Sequence, residues 1–197
     1  MPEFLSRDPR EPGFWDERFA QAFTPWDRGG VPLELRRFAA AGRPGTILIP
    51  GCGSGYELAW LMEQGWDASA IDFAPLAVER AQRIAGRWAG RVVQADFFAW
   101  EPEKALDVVY ECAFFCALPP AMRDQVVARW AGLLGPGKLL AGFFYFGERS
   151  KGPPFGIPRE ELERLLAPHF DLVEDSAVED SLAVFEGRER WMVWRRK

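Results

Sequence analysis

A short, largely apolar run breaks into glycines at Thr46-Ile47-Leu48-Ile49-Pro50-Gly51-Cys52-Gly53-Ser54-Gly55-Tyr56-Glu57, and the next apolar stretch ends in an acid at Ala70-Ile71-Asp72. Few folds accept that pattern. A strand that stops at glycines lets backbone approach a ligand closely, and a helical pattern from Glu57 to Glu63 follows, with backbone N–H groups free at its start. Asp72 lies 17 residues past Gly55, near the spacing of roughly 20 at which a strand-end acid accepts ribose hydroxyls. The segment therefore reads as a nucleoside-binding βαβ unit. Asp72 also precedes Pro75 by less than a turn, where an acid caps a helix, but the ribose role is the preferred reading. A dinucleotide site wants Gly-x-Gly-x-x-Gly, and Tyr56 stands where its last glycine would pack helix on strand.

The 197 residues, 48% hydrophobic and 27% charged, suit one globular domain with a full core, residues 1–197. Lys and Arg number 24 against 29 acids, a net charge of −5, which argues against nucleic acid as a partner. The longest apolar runs, such as Leu139 to Phe146, fall far short of the roughly 20 residues a membrane helix needs, and the N-terminus is charged and unlike a signal peptide. A cytoplasmic protein with reduced thiols at Cys52, Cys112 and Cys116 is expected. With His169 the only histidine and no Cys-x-x-Cys pair, no metal site is expected.

Strand-like runs alternate with helical patterns along the chain, the signature of an α/β fold with a mostly parallel sheet covered on both faces. Strands are expected at Gly45–Pro50, Trp66–Asp72, Arg91–Ala95, Leu106–Glu111 and Lys138–Phe146, with Phe170–Val173 and Arg190–Arg195 as a closing antiparallel pair. Helices are expected at Tyr56–Gln64, Pro75–Trp88 and Pro119–Leu134, the last closed by Gly135-Pro136-Gly137, and from Pro158 to Pro168 with Leu162, Leu165 and Leu166 on one stripe. The first forty residues lie outside the sheet pattern. They read as an appendage able to cover a ligand.

Six ordered blocks carry a family resemblance: Phe14-Trp15-Asp16-Glu17-Arg18-Phe19, Thr24-Pro25-Trp26-Asp27-Arg28-Gly29-Gly30, Pro50 to Tyr56, Asp96-Phe97-Phe98, Phe114 to Pro120 and Gly152-Pro153-Pro154-Phe155. Together they resemble the thiopurine S-methyltransferase superfamily, and within it the plant-type halide and thiol methyltransferases. Gly51-x-Gly53-x-Gly55 is similar to the first motif of S-adenosylmethionine (SAM) methyltransferases. The resemblance implies a class I methyltransferase (Rossmann-like) fold, seven strands with the last antiparallel, and SAM as cofactor.

It also implies roles. Trp15, Phe19 and Trp26 would fold over the methionine part and the sulfonium, a soft cation that aromatic faces attract by roughly 0.5–2 kcal/mol. Gly51 would bring backbone to the amino acid end, Asp72 would accept the ribose hydroxyls, Asp96 would receive the adenine amino group with Phe97 on the adenine face, and Gly53, Gly55 and Phe73 would be further cofactor contacts. Glu111 and Cys112 would end the fourth strand beside the sulfonium. Phe115, Tyr145 and Phe155 would wall the substrate, with Phe114 and Phe146 as further wall residues. Cys112 departs from the pattern, because the thiopurine branch tends to carry arginine there and the plant halide branch tyrosine. A buried, inert cysteine is the expected case.

Methyl transfer is an in-line displacement, so a thiolate, bisulfide or halide needs no general base, and positioning with desolvation carries most of the catalysis. The expected function is methyl transfer from SAM to a small soft nucleophile, by a protein expected to be a monomer. A thiopurine-type enzyme for aromatic thiols, an NAD-dependent oxidoreductase and a non-catalytic cofactor-binding module stay open as alternatives.

Overall fold

The computed structural model describes residues 3–147 and 152–197. Seven strands form one sheet in the order β3-β2-β1-β4-β5-β7-β6: β1 (Thr46–Pro50), β2 (Asp67–Asp72), β3 (Val92–Gln94), β4 (Leu106–Cys112), β5 (Leu134–Tyr145), β6 (Phe170–Ala177) and β7 (Glu189–Arg196). Strands β1 to β5 pair in parallel, and β7 runs antiparallel to both β5 and β6. Helices α3 (Tyr56–Glu63), α4 (Pro75–Ala85), α5 (Arg123–Leu133) and α6 (Arg159–Leu166) connect them. Two more, α1 (Pro12–Ala20) and α2 (Leu33–Ala41), precede β1.

Both sheet faces are buried, which is why the central strands read as nearly continuous apolar runs. Strand alternation divides them into two cores. Leu48, Val109, Phe144 and Met192 face α5 and α6, with Trp130 and Leu162. Ile47, Ile49, Tyr110, Phe143 and Trp191 face the other way, packing with Leu35 of α2 and Leu58 of α3. Strands β4 and β5 approach so closely that a Cβ on Gly142 would lie 1.9 Å from the Glu111 carbonyl oxygen, so only glycine fits there.

Local chemistry sets the boundaries. Pro75 opens α4, and Gly86, at φ +56, stops it three residues before the expected Trp88, the chain continuing as a 3-10 turn through Arg91. α5 is preceded by a short 3-10 turn at Pro120–Met122, so its helix begins later than Pro119. β5 already begins at Leu134, and an irregularity in its pairing with β4 accommodates Gly135-Pro136-Gly137. β6 extends to Ala177 through a further irregularity between Leu172 and Glu174. No helix among the described residues is long and apolar enough to cross a membrane.

Candidate active site

The carboxyl ends of β1, β2 and β4 open on a cavity of about 680 Å³, where ligands bind in open parallel sheets and within the size range of small-molecule sites. Gly51, Gly53 and Gly55 all adopt left-handed φ, between +53 and +65. At Gly51 a Cβ would also lie 2.6 Å from Phe114 Cδ2. The loop is thereby held open toward the cavity and closed to side chains.

Asp72 ends β2 at 8% exposure. Its Oδ2 accepts the Gly53 N–H at 3.0 Å and its Oδ1 the Ala74 N–H at 3.0 Å, so one carboxylate braces both the glycine loop and the start of α4. Burial raises it from its ordinary 3.8 to about 6, against the opposing pull of those backbone donors. Phe73 lines the same wall, and Asp96 sits exposed at the mouth with its Oδ1 accepting the Phe98 N–H at 2.9 Å. Phe97 is buried beside them with its ring 4.9 Å from that of Phe114.

Trp15, Phe19 and Trp26 meet over the glycine loop. The Trp15 and Trp26 rings lie 5.4 Å apart, edge to face, and the Phe19 and Trp26 rings 6.2 Å apart; Phe19 Cζ would lie 3.7 Å from a Cβ on Gly53. The segment is anchored at its neighbours. Asp27 accepts from the Ser54 hydroxyl of the loop and from Arg80 Nη2 at 2.9 Å. The Arg28 guanidinium pairs with Asp180 at 2.9 Å across to the β6–β7 connection. Of the expected 1–40 cover, residues 1–2 lie outside the described ones; α2 instead buries Leu35 and Ala39 against the sheet.

Four expected site residues, Glu111, Phe115, Phe146 and Phe155, are not in the cavity wall. Glu111 points to the α5 side of the sheet, because it alternates with Cys112; it is 1% exposed, accepts the Phe115 N–H at 3.0 Å and is raised to about 8 by burial. It braces the loop after β4. Ala113 then takes a left-handed φ of +56, which turns Phe114 over Gly51 and sends Phe115 into the core against Trp130. Phe155 is tied by its N–H to the Cys116 carbonyl at 2.7 Å and stands behind the wall, which Gly152, Pro153 and Pro154 supply instead. Phe146 packs against the α5-side core. His169, bonded through its N–H to Leu166 after α6, also lies outside the wall.

Cys112 and Tyr145 do line the cavity. Burial pushes the Cys112 thiol well above its ordinary value, so it stays protonated. The Tyr145 residue is 4% exposed and its hydroxyl has no partner among the described residues. Sequence reasoning missed Glu57, Leu182, Val184, Phe185 and Glu189, all in the wall. Glu57, in the first turn of α3, is raised to about 7, chiefly by loss of solvent and further by Asp27, with Arg28 opposing. Its place directly after the glycine loop was the available signal.

The sheet order, its antiparallel β7, and an acid at the end of β2 beside a left-handed glycine loop define a class I SAM-dependent methyltransferase. The described residues fit that cofactor: glycine backbone, a buried acid for ribose, aromatic rings for a sulfonium. Solved structures agree in fold. The 1,6-didemethyltoxoflavin-N1-methyltransferase of Burkholderia thailandensis, solved with S-adenosylhomocysteine, superposes at a TM-score of 0.74 and 20% identity over 100% of this chain and 93% of that one. The magnesium protoporphyrin IX methyltransferase of Synechocystis, solved with SAM, gives 0.75 at 15% identity over 99% and 100%. The family model described as thiopurine S-methyltransferase matches residues 10–197, and the chain belongs to that family. A probable thiol methyltransferase 2 of Arabidopsis thaliana is 31% identical over 93% of this chain and 85% of its own length. A thiopurine S-methyltransferase of Vibrio vulnificus is 31% identical over 80% and 82%, and thiocyanate methyltransferase 1 of Brassica oleracea 28% over 94% and 86%.

Proposed function

We propose that the chain transfers the methyl group of SAM to a small soft sulfur nucleophile, a thiol or bisulfide, with halide as a related acceptor. The observation that carries this reading is the far end of the cavity. Cys116, Tyr145 and Phe185 form a small apolar cluster there, with Trp26, Leu182 and Val184 packed on it, a chamber that desolvates a soft nucleophile. SAM supplies an electrophilic methyl on a cationic sulfur. Asp72 accepts the ribose hydroxyls, Asp96 the adenine amino group, and Phe73 and Phe97 flank the base. The N-terminal aromatic trio covers the sulfonium, and Gly51, Gly53 and Gly55 admit the methionine backbone. Glu57, facing the same end, complements its ammonium. Exclusion of water by residues 14–30 strengthens each of these polar contacts. The reaction belongs in a reducing compartment, the cytoplasm, on a small molecule and by a monomer.

A methyl-transfer assay with labelled SAM across bisulfide, iodide, thiocyanate, alkyl thiols and aromatic thiols tests the proposal. Transfer to alkyl thiols or bisulfide is expected. Turnover restricted to bulky aromatic thiols would move the reading to the thiopurine type, and transfer to no sulfur nucleophile by a protein that binds SAM would refute it.

A further inference from the structure

The acceptor end of the cavity carries a carboxylate, Glu189, that the reading above leaves without a task. In the β5–β7 ladder Tyr145 stands directly opposite Glu189, a spacing that puts the two side chains on one face with their Cβ atoms about 5 Å apart. Both line the cavity. Tyr145 is buried with an unpartnered hydroxyl. Glu189 Oε1 accepts from the Ser181 hydroxyl, which leaves Oε2 without a bond among the described residues. Leu182, Val184 and Phe185 close over them from the β6–β7 connection.

The charge around this pair disfavours an anion. Glu189 faces the chamber; loss of solvent chiefly, and Asp180 and Glu34 behind it, press it toward its neutral form, with Ser181 and Arg28 opposing. The cations in the wall among the described residues are Arg7, Arg10 and Arg18 of the N-terminal segment, and Arg28. Arg10 pairs with Asp8, Arg18 keeps its charge while stacking on Phe14 with its guanidinium 3.3 Å from the ring centre, and Arg28, shared with Asp180 at 2.9 Å, is the cation that partly offsets Glu189. Cys112 and Cys116, protonated, add no charge. An iodide or thiocyanate ion would lose its water beside the Glu189 carboxylate, which Arg28, shared with Asp180, offsets only in part, whereas a neutral thiol meets no such repulsion.

We propose that this enzyme selects neutral, uncharged thiols over preformed anions, with Tyr145 holding the acceptor sulfur and Glu189 acting as the catalytic base that takes its proton. Glu189 Oε2 removes the S–H proton as the sulfur lone pair closes on the methyl carbon. The electron pair of the broken carbon–sulfonium bond returns to the cofactor sulfur. A thioether and neutral S-adenosylhomocysteine result, and the proton leaves Glu189 for solvent when the chamber opens. The inference rests on the sulfur-acceptor reading and replaces the expectation that no base is needed.

Glu189→Gln and Tyr145→Phe test it with butanethiol, neutral near pH 7, against thiocyanate, always an anion. For Glu189→Gln, kcat/KM toward butanethiol should fall at least about tenfold near neutral pH, and the loss should shrink as rising pH supplies thiolate. Thiocyanate should gain, and calorimetry should show it binding the S-adenosylhomocysteine complex severalfold more tightly than in wild type, a readout independent of turnover. Tyr145→Phe should lower kcat for butanethiol more than it raises KM. Should Glu189→Gln fail to bind S-adenosylhomocysteine, Ser181→Ala carries the test: losing a donor to the charged carboxylate moves the acid limb of the butanethiol profile to higher pH. An equal loss for both nucleophiles at every pH, an unmoved limb, or a wild type that prefers thiocyanate overturns the inference while leaving methyl transfer intact. A wild type inert toward all sulfur nucleophiles overturns the underlying reading as well.

Discussion

Replacing Asp72 by asparagine separates what that side chain does for the fold from what it does for the cofactor. At 8% exposure its carboxyl is lifted from 3.8 to about 6, so keeping it charged at neutral pH costs about 3 kcal/mol of folding free energy. The folded state favours the protonated form: the group's stabilising contribution is complete below the ordinary carboxylate range and is lost as pH rises through about 6. Asparagine removes that cost but turns an NH2 toward either the Gly53 or the Ala74 N–H, both now bonded at 3.0 Å, leaving one buried donor unpaired at about 1–3 kcal/mol. The two effects nearly offset, so the melting temperature near neutral pH should move by only a few degrees. Affinity should not be spared. Charge-assisted acceptance of ribose hydroxyls is worth about 1.5–3 kcal/mol, or roughly 10- to 100-fold in Kd. In wild type, protonation of Asp72 should weaken cofactor binding progressively below about pH 6, and the asparagine variant should lose that dependence. Calorimetric titration with S-adenosylhomocysteine across pH, paired with thermal melts, measures both. An Asp72→Asn protein with wild-type affinity, or one with an unchanged pH slope below 6, would refute the ribose assignment.

Gly51→Ala forces a Cβ to within 2.6 Å of Phe114 at a φ of +58; it should destabilise by about 1–3 kcal/mol and weaken S-adenosylhomocysteine binding more than about tenfold, read by calorimetry on folded protein. Glu57→Gln should weaken binding near neutral pH and flatten the part of the pH–affinity curve around 7, since its carboxylate, raised to about 7, complements a cation only when charged. Residues 14–30 should gain hydrogen-exchange protection on cofactor binding, and Asp180→Ala, which frees Arg28, should speed exchange in that segment without the cofactor; equal protection in all three samples would make it ordinary core.

The sheet was readable because parallel strands buried on both faces leave long apolar runs, and the glycine loop because Gly51, Gly53 and Gly55 really do take conformations that side chains resist. Asp72 was readable from its distance to that loop. The errors have a common physical origin in parity. Glu111 and Cys112 are neighbours, and which of them faces the ligand depends on strand phase, which a two-residue span cannot fix. Phe114 and Phe115 differ by the same single step, and the phase there is set by a left-handed alanine, Ala113, a conformation composition does not announce.

The acceptor end was hidden for a different reason. Ser181 to Glu189 joins two antiparallel strands, with no periodicity of its own, and only the β5–β7 register of Tyr145 with Glu189 turns it toward the cavity. The cofactor half of the site is built on local sequence, where loop and acid lie within one βαβ unit and the spacing carries information. The acceptor half joins Trp26 and Arg28 from the start of the chain to Asp180, Phe185 and Glu189 near its end. Contacts that distant obey no local pattern, and that same freedom lets the N-terminal segment and the β6–β7 connection reshape their end of the cavity without disturbing the glycine loop at the other.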